Sequence, residues 1–427
     1  MSETATSTAA DAQLVDRDTP SFSDPTAITN PLLPVGELSQ VVYVGAAGGW
    51  STRVEVTLLP RTRSIVWEGR HVSTLATQAI SYTDHGVSEV RLSFFAQADD
   101  GSVWSFGSEV MELEGGVVES NAGSWLAGRD GPPAMAMPAD PQVGDVFRPR
   151  NIADVAYEEA TVLSTSEQVE GADGVVDGVM VAERRLADGS IGQALYAPGY
   201  GEYRIELSAD VTLAAVALPA NGRSTPVPAA LAAFRSVAIT LADPAKDDGK
   251  SGDVLASIAQ LGASLAALEE TAPPPVFHAL QASVGELSVT AASETSHDLR
   301  RAACQAALAA TDLELIYRGQ AATDLGRIAL WGRLAAIDAE AGDLTLLRND
   351  IAVIEAMWER TKDRLEKPAR TELQDRLVSL TDAVAREDLM AVGVASGHLV
   401  RAFEGLIDVV AAERADGSNG PAEAGPS

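Results

Sequence analysis

The chain has 427 residues, 46% of them hydrophobic, which exceeds a typical single domain and can supply two cores. A formal net charge of −30 and a pI of about 4.4 repel phosphate backbones and anionic lipid, and so argue against nucleic acid or bare membrane as partners. One cysteine, Cys304, leaves no intramolecular disulfide and no Cys-based zinc site. No apolar run approaches the length of a membrane span.

Residues 1–25 are rich in Ser, Thr, Ala and Asp and read as a disordered tail. They contain no basic n-region or hydrophobic segment, so the sequence as written begins without a signal peptide. From 26 to 218 the pattern is that of strands. Val41–Val44, Arg53–Leu59, Ser64–Trp67, His71–Ser81, Val87–Ala98 and Val103–Val110 come first. Glu112–Ser120, Ala160–Gln168, Asp177–Arg185, Ala194–Tyr196, Tyr203–Leu207 and Val211–Leu218 follow. Asp100-Gly101 marks a hairpin, because Gly tolerates the positive φ that such turns need. Helical periodicity is nearly missing before residue 225, which predicts an antiparallel all-β domain, a sandwich or a half-barrel.

Residues 219–252 read as a linker with a short apolar patch at Ala229–Ile239. From 253 to 414 the apolar period becomes 3.6 residues. The predicted helices are Leu255–Leu268, Val276–Val289, His297–Arg318, Ala321–Ala341, Leu344–Leu365, Ala369–Arg386 and Leu389–Ala412. Asp343 and Asp388 stand where N-caps belong. Short connections between long helices predict an antiparallel bundle. Residues 415–427 read as a second disordered tail. The fold class expected is α+β in separate domains, β first and helices second.

Several motifs stand in order along the β half. They are Phe22-x-Asp24-Pro25, Asn30-Pro31-x-x-Pro34, the run Ala96-Gln97-Ala98-Asp99-Asp100-Gly101-Ser102-Val103-Trp104-Ser105-Phe106-Gly107, and Gly123-Ser124-Trp125-Leu126-Ala127-Gly128-Arg129-Asp130-Gly131. Met137-Pro138, Pro141-Gln142-Val143-Gly144-Asp145 and Tyr196-Ala197-Pro198-Gly199-Tyr200-Gly201 complete the set. Through them residues 21 to about 215 resemble a group of secreted actinobacterial proteins, many of them lipoproteins. The resemblance implies export and surface attachment and supplies no catalytic residues. The chain departs from that group in lacking a signal peptide and a lipobox cysteine, so a cytoplasmic location is the alternative. The helical half is similar to actinobacterial helical proteins with an Asp-Leu-x-Leu…Tyr-Arg…Asp-Leu-x-Arg…Trp pattern. Here that pattern is Asp312, Leu313, Leu315, Tyr317, Arg318, Asp324, Leu325, Arg327 and Trp331.

No phosphate loop, nucleophile elbow or His-Glu-x-x-His motif occurs, and the five histidines are scattered. Asp99-Asp100-Gly101-Ser102 lacks the ligand spacing of an EF-hand and reads as a turn. In the β half, Trp67, Trp104 and Trp125 are candidates to line a ligand cleft, against the plainer reading as core. In the helical half, Asp324, Arg327 and Asp338 fall within the apolar stripe of their helix. Asp350 flanks the stripe of the next helix, and Asp312 lies beside Ile316 in the preceding one. Inward carboxylates need a cation or a guanidinium. Asp312, Asp324, Asp338 and Asp350 are therefore either ligands of a divalent cation or members of an ion-pair network with Arg327, joined by Arg318 or Arg348. Glu314 and Arg318 read as an exposed i,i+4 pair, and Cys304 as a packed thiol.

With no catalytic constellation, the expected function is a non-enzymatic cell-surface binding or scaffold protein for a small molecule or protein. Metal-ion binding through the aspartates is the alternative.

Overall fold

The computed structural model describes residues 13–415 apart from 48–49, 84–85, 153–154, 172–173, 209–210, 220–225, 244–250 and 294. The expected tails at 1–12 and 416–427 and part of the expected linker lie outside the described residues. Backbone packing divides the chain into two compact units. The first takes Met1–Ala79, Arg91–Met111 and Ser120–Ala217, and the second Ile80–Val90, Glu112–Glu119 and Leu218–Ser427.

An antiparallel β region comes first. It runs β1 (Gln13–Leu14), β2 (Leu38–Ala47), β3 (Trp50–Trp67), β4 (Arg70–Thr83), β5 (Gly86–Gln97), β6 (Val103–Glu114), β7 (Val117–Ser120) and β8 (Trp125–Leu126). It continues through β9 (Ala134–Met137), β10 (Asp145–Ile152), β11 (Ala156–Gly171), β12 (Gly174–Leu186), β13 (Ile191–Ala197), β14 (Gly201–Ser208) and β15 (Val211–Pro219). The strands from β10 to β15 pair in sequence order, β15 neighbours β2, and β2 to β7 again follow in order. Pairs along β10–β15 are antiparallel, whereas β1 adds to β10 in parallel. The sheet is thus a meander that closes part of the way round, a half-barrel.

Three of the differences from the sequence reading have a local physical reason. The strands expected at 53–59 and 64–67 are one strand, β3. The β2 ladder ends at the Gln40–Thr57 pair, so the missing N–H of Pro60 costs no bond on that side. The strand expected at 112–120 is broken by Gly115 and Gly116, whose φ angles of 58° and 76° make a left-handed pair and turn β6 into β7. No strand was expected at 145–152. β10 forms there by burying Val146, Phe147 and Ile152, and its register shifts between Phe147 and Arg150, around Pro149.

The motifs of the β half turn out to be stitching. Asn30 Nδ2 donates to Gly101 O (3.1 Å) and Pro138 O (2.9 Å), while its Oδ1 accepts from Leu32 N at 3.0 Å. Gln97 Oε1 accepts the amides of Thr29 (2.8 Å) and Asn30 (3.0 Å). Asp99 accepts from Ser21 Oγ (2.8 Å) and from Ser23 N (2.7 Å), and these bonds hold its carboxyl below the usual carboxylate range. Gly199 N donates to Pro31 O at 2.8 Å. Gly128, at φ 77°, lies so close to strand β3 that a Cβ would come within 2.2 Å of Val66 O. Residues 13–25, read from composition as part of a disordered tail, hold defined positions. β1 pairs with β10, and Asp16 receives two bonds at 2.8 Å from the Arg148 guanidinium.

The described residues of the second unit form eight helices: α1 (Ala229–Leu241), α2 (Ser251–Ala266), α3 (Pro274–Ser293), α4 (Ser296–Arg318), α5 (Gln320–Ala341), α6 (Leu344–Thr361), α7 (Lys367–Ala385) and α8 (Leu389–Ala415). α1 falls in the stretch read as linker, and the apolar patch noted there is a helix that buries Leu231, Phe234 and Ala238. A Thr295–Asp298 capping box opens α4. Asp343 caps α6 through Thr345 N and Leu346 N, both at 3.0 Å, and Asp388 accepts Ala391 N at 3.1 Å. The core joins Leu325, Ile328, Ile354, Met357, Trp358, Leu380, Leu399 and Phe403 to Ile80, Tyr82, Val87 and Val90 of the 80–90 segment.

Candidate functional site

Helix α5 places two carboxylates in the interior of the helical unit, 14 residues apart. At 1.5 Å per residue that separates them by about 21 Å along the axis. The four aspartates singled out from sequence therefore cannot share one ion. They fall into two layers.

In the first layer Asp324 is completely buried and receives five donors. Arg360, from α6, grips it with Nε (2.8 Å) and Nη2 (2.7 Å). Arg327 Nη1 donates at 2.9 Å, Gln320 Nε2 at 2.5 Å and Thr361 Oγ1 at 3.3 Å. The other edge of Arg327 holds Asp312 of α4, through Nε at 3.0 Å and Nη2 at 2.7 Å. Two carboxylates and two guanidiniums balance. A forked guanidinium supplies the charge and the directed donors that a cation would otherwise supply.

The second layer is built differently. Asp338, also fully buried, accepts from His297 Nε2 at 3.1 Å and makes a very close ion pair with Arg301; both partners lie on α4. The other face of His297 sits 3.3 Å from Asp298 Oδ1. Asp350 reaches Asp338 from α6, and the two carboxyls are in hydrogen-bond contact. Two carboxylate oxygens are both acceptors, so they bond only if one carries a proton. Burial, and then the Asp338 charge, push the Asp350 carboxyl well above the usual carboxylate range, with Arg301 opposing. No N–H or hydroxyl donor reaches Asp350 Oδ2. Cys304 follows Arg301 by one turn of α4; it is buried, and burial pushes its thiol up to about 12. That is the environment of an inert thiol.

Sequence reasoning found the four aspartates and Arg327 but missed Arg360, Arg301 and His297. Arg318 and Arg348, its other suggested partners, go elsewhere: Arg318 to Asp408 at 2.9 Å, Arg348 to Glu387 at 3.1 Å. The expected exposed pair Glu314–Arg318 is in fact buried on its acidic side. Glu314 lies 3.1 Å from Arg318 Nε and 4.0 Å from Arg235 Nε of α1, the helix the sequence did not predict. Burial raises its carboxyl. Among the described residues no group of three or more His, Cys, Asp or Glu side chains has the geometry to hold a metal ion.

In the β unit, Trp104 and Trp125 are core residues, and Trp104 Nε1 already donates to Ser102 Oγ at 2.7 Å. Trp67 is half-buried and packs edge-on against Phe22 and Phe106, with centroids 6.2 and 6.3 Å away. All three rings take part in packing, Trp104 and Trp125 inside the core and Trp67 beside it. A charged cluster not anticipated from sequence joins three strands. Arg184 of β12 binds Glu158 of β11 at 2.5 Å and lies very close to Glu202 of β14, whose carboxyl is raised by burial. Alternation along a strand shows which face such residues share, but not that neighbouring strands bring opposite charges together there.

Comparison with family models and with curated proteins gives no match.

Proposed function

We propose that this chain is a non-enzymatic binding or scaffold protein of the cell envelope. The observation that carries the reading is Asp324 with its five donors. The most chemically suggestive cluster in the sequence is closed on itself, sealed from solvent and neutral, which suits a rigid support and leaves no open acid, base or nucleophile in that layer. The resemblance of the β half to secreted, often lipid-anchored proteins supports the location. Fractionation of the native organism tests it: the protein is expected in the envelope or the medium, and recovery from the cytosol alone overturns the assignment.

One observation favours a second reading as a divalent-cation protein. Asp350 Oδ2 is buried beside Asp338 with no N–H or hydroxyl donor directed at it. An ion held there would engage the second layer and displace the shared proton, leaving Asp312 and Asp324 on their arginines.

A further inference from the structure

Two hairpins that belong by sequence to the β region end against one helix. β4, β5 and β6 lie mostly in the first unit, but the stretches Ile80–Val90 and Glu112–Glu119 belong to the second. There Ile80, Tyr82, Val87 and Val90 are buried in one cluster with Leu347, Ile351 and Ile354 of α6, and Leu113 packs against it. Tyr82 also stacks on Trp331 of α5, with centroids 6.0 Å apart. α8 joins the same cluster through Val392, Leu399 and Phe403. Over Leu389–Ala411, at mean hydropathy 1.2, it has the length and composition of a membrane span, a run not expected from sequence.

The closest approaches fall on one peptide of α6. Gly116, at φ 76°, leaves no room for a side chain: a Cβ there would stand 2.4 Å from the carbonyl carbon and oxygen of Arg348 and 2.6 Å from Asn349 N. Gly86, from the other hairpin, would put a Cβ 2.8 Å from Cγ of Asn349. A positive φ does not by itself bring such contacts. Gly69 (φ 74°) and Gly189 (φ 82°) sit at turns of the β region with nothing within 4 Å. Asp350 is the next residue after the pressed peptide, and its carboxyl meets Asp338. Carbon atoms in contact prefer about 3.5–4.0 Å, so a methyl group at 116 must part turn and helix by about 1 Å. A hydrogen bond does not survive a stretch of that size.

We propose that the two hairpins position α6, pressing on the Arg348–Asn349 peptide and so holding the Asp350 carboxyl against Asp338. Residues 80–90 and 112–119 are then positioning elements for a helix more than 200 residues further along the chain. The helical segment on its own lacks them.

Amide hydrogen exchange of the full chain, read by mass spectrometry, tests this. Gly116→Ala should speed exchange over residues 347–352 at least about tenfold while α3 stays near wild type. Gly86→Ala meets a side chain and not backbone, so it should act in the same place more weakly; it carries the test if Gly116→Ala does not fold. Gly189→Ala brings the same left-handed strain with open space around it and should leave α6 unchanged. A second readout reaches the pair itself. Asp350→Asn should shift the urea midpoint of the helical transition by one amount in the wild type and by another beside Gly116→Ala, whereas beside Gly189→Ala its effect should simply add. Exchange at 347–352 that neither hairpin variant changes overturns the proposal, as does a rise spread evenly over all helices or one that Gly189→Ala matches. Additive effects of Gly116→Ala and Asp350→Asn overturn the link to the carboxyl pair.

Discussion

Asp324→Ala is expected to destabilise the helical unit by about 3–5 kcal/mol, the range measured when one partner of a buried ion pair is removed. The reason is arithmetic. Arg327 and Arg360 are both wholly buried, and Asp324→Ala takes a carboxylate partner from each of them at once. Replacing Asp312, Asp324, Arg327 and Arg360 together by Leu, Leu, Met and Met should cost much less than Asp324→Ala alone, because none of these four charges is left stranded. Urea unfolding followed by far-UV circular dichroism reads both, with the helical transition treated separately from the β transition. A quadruple variant less stable than the single one would contradict the ion-pair account.

The second large effect is one of sign. Asp350→Asn and Asp338→Asn are the same chemical change on two carboxyls in contact, yet they should act in opposite directions. An amide at 350 can donate to Asp338 as the protonated acid does, without a charge to desolvate, so Asp350→Asn should be neutral or stabilising by up to roughly 1 kcal/mol at pH 7. Asp338→Asn removes the charge opposite Arg301 and one of the two oxygens that His297 and Arg301 separately use, and should cost about 3 kcal/mol or more.

The pH dependence follows the same logic. The folded-state pKa of Asp350 is raised, so between its unfolded value, about 3.9, and its folded value the native chain holds the extra proton. Its contribution is fully present below the unfolded pKa and is lost as pH rises through the folded one. Asp350→Asn should remove that alkaline decline, which thermal melts of the two proteins over a pH series would show. Equal slopes would mean that the pair does not hold the proton.

Local signals in the sequence were read correctly where the physics is local. Asp100-Gly101 makes the hairpin because Gly101 takes a φ of 93°. Asp343 and Asp388 cap their helices because a short carboxylate reaches the free amides of the first turn. The inward placement of Asp312, Asp324 and Asp338 followed from the 3.6-residue period alone. What was missed is non-local or conditional. Arg360 lies 36 residues from Asp324 and Arg301 lies 37 from Asp338, and periodicity does not say which buried acid meets which base across helices. Gly115-Gly116 could have been read as a turn, but the valines and glutamates on either side masked it as one strand. β10 was hidden by its own Pro149 and arginines, and α1 by the Pro- and Lys-rich flanks that made its apolar core look incidental. The motifs Asn30-Pro31 and Gln97-x-Asp99 were noticed for their resemblance, and the bonds of Gln97 to Asn30 and of Asp99 to Ser21 and Ser23 explain them as fold determinants of the β unit.

We expect guanidiniums, rather than a metal ion, to hold the buried Asp312, Asp324 and Asp338. Elemental analysis of purified, tag-free protein, with melting followed in the presence and absence of chelator, tests it most directly. The expected result is substoichiometric metal and a melt that chelator leaves in place. Stoichiometric divalent metal with a chelator-sensitive melt that Asp350→Asn abolishes would contradict it, because a ligand that binds only the native state must raise its stability.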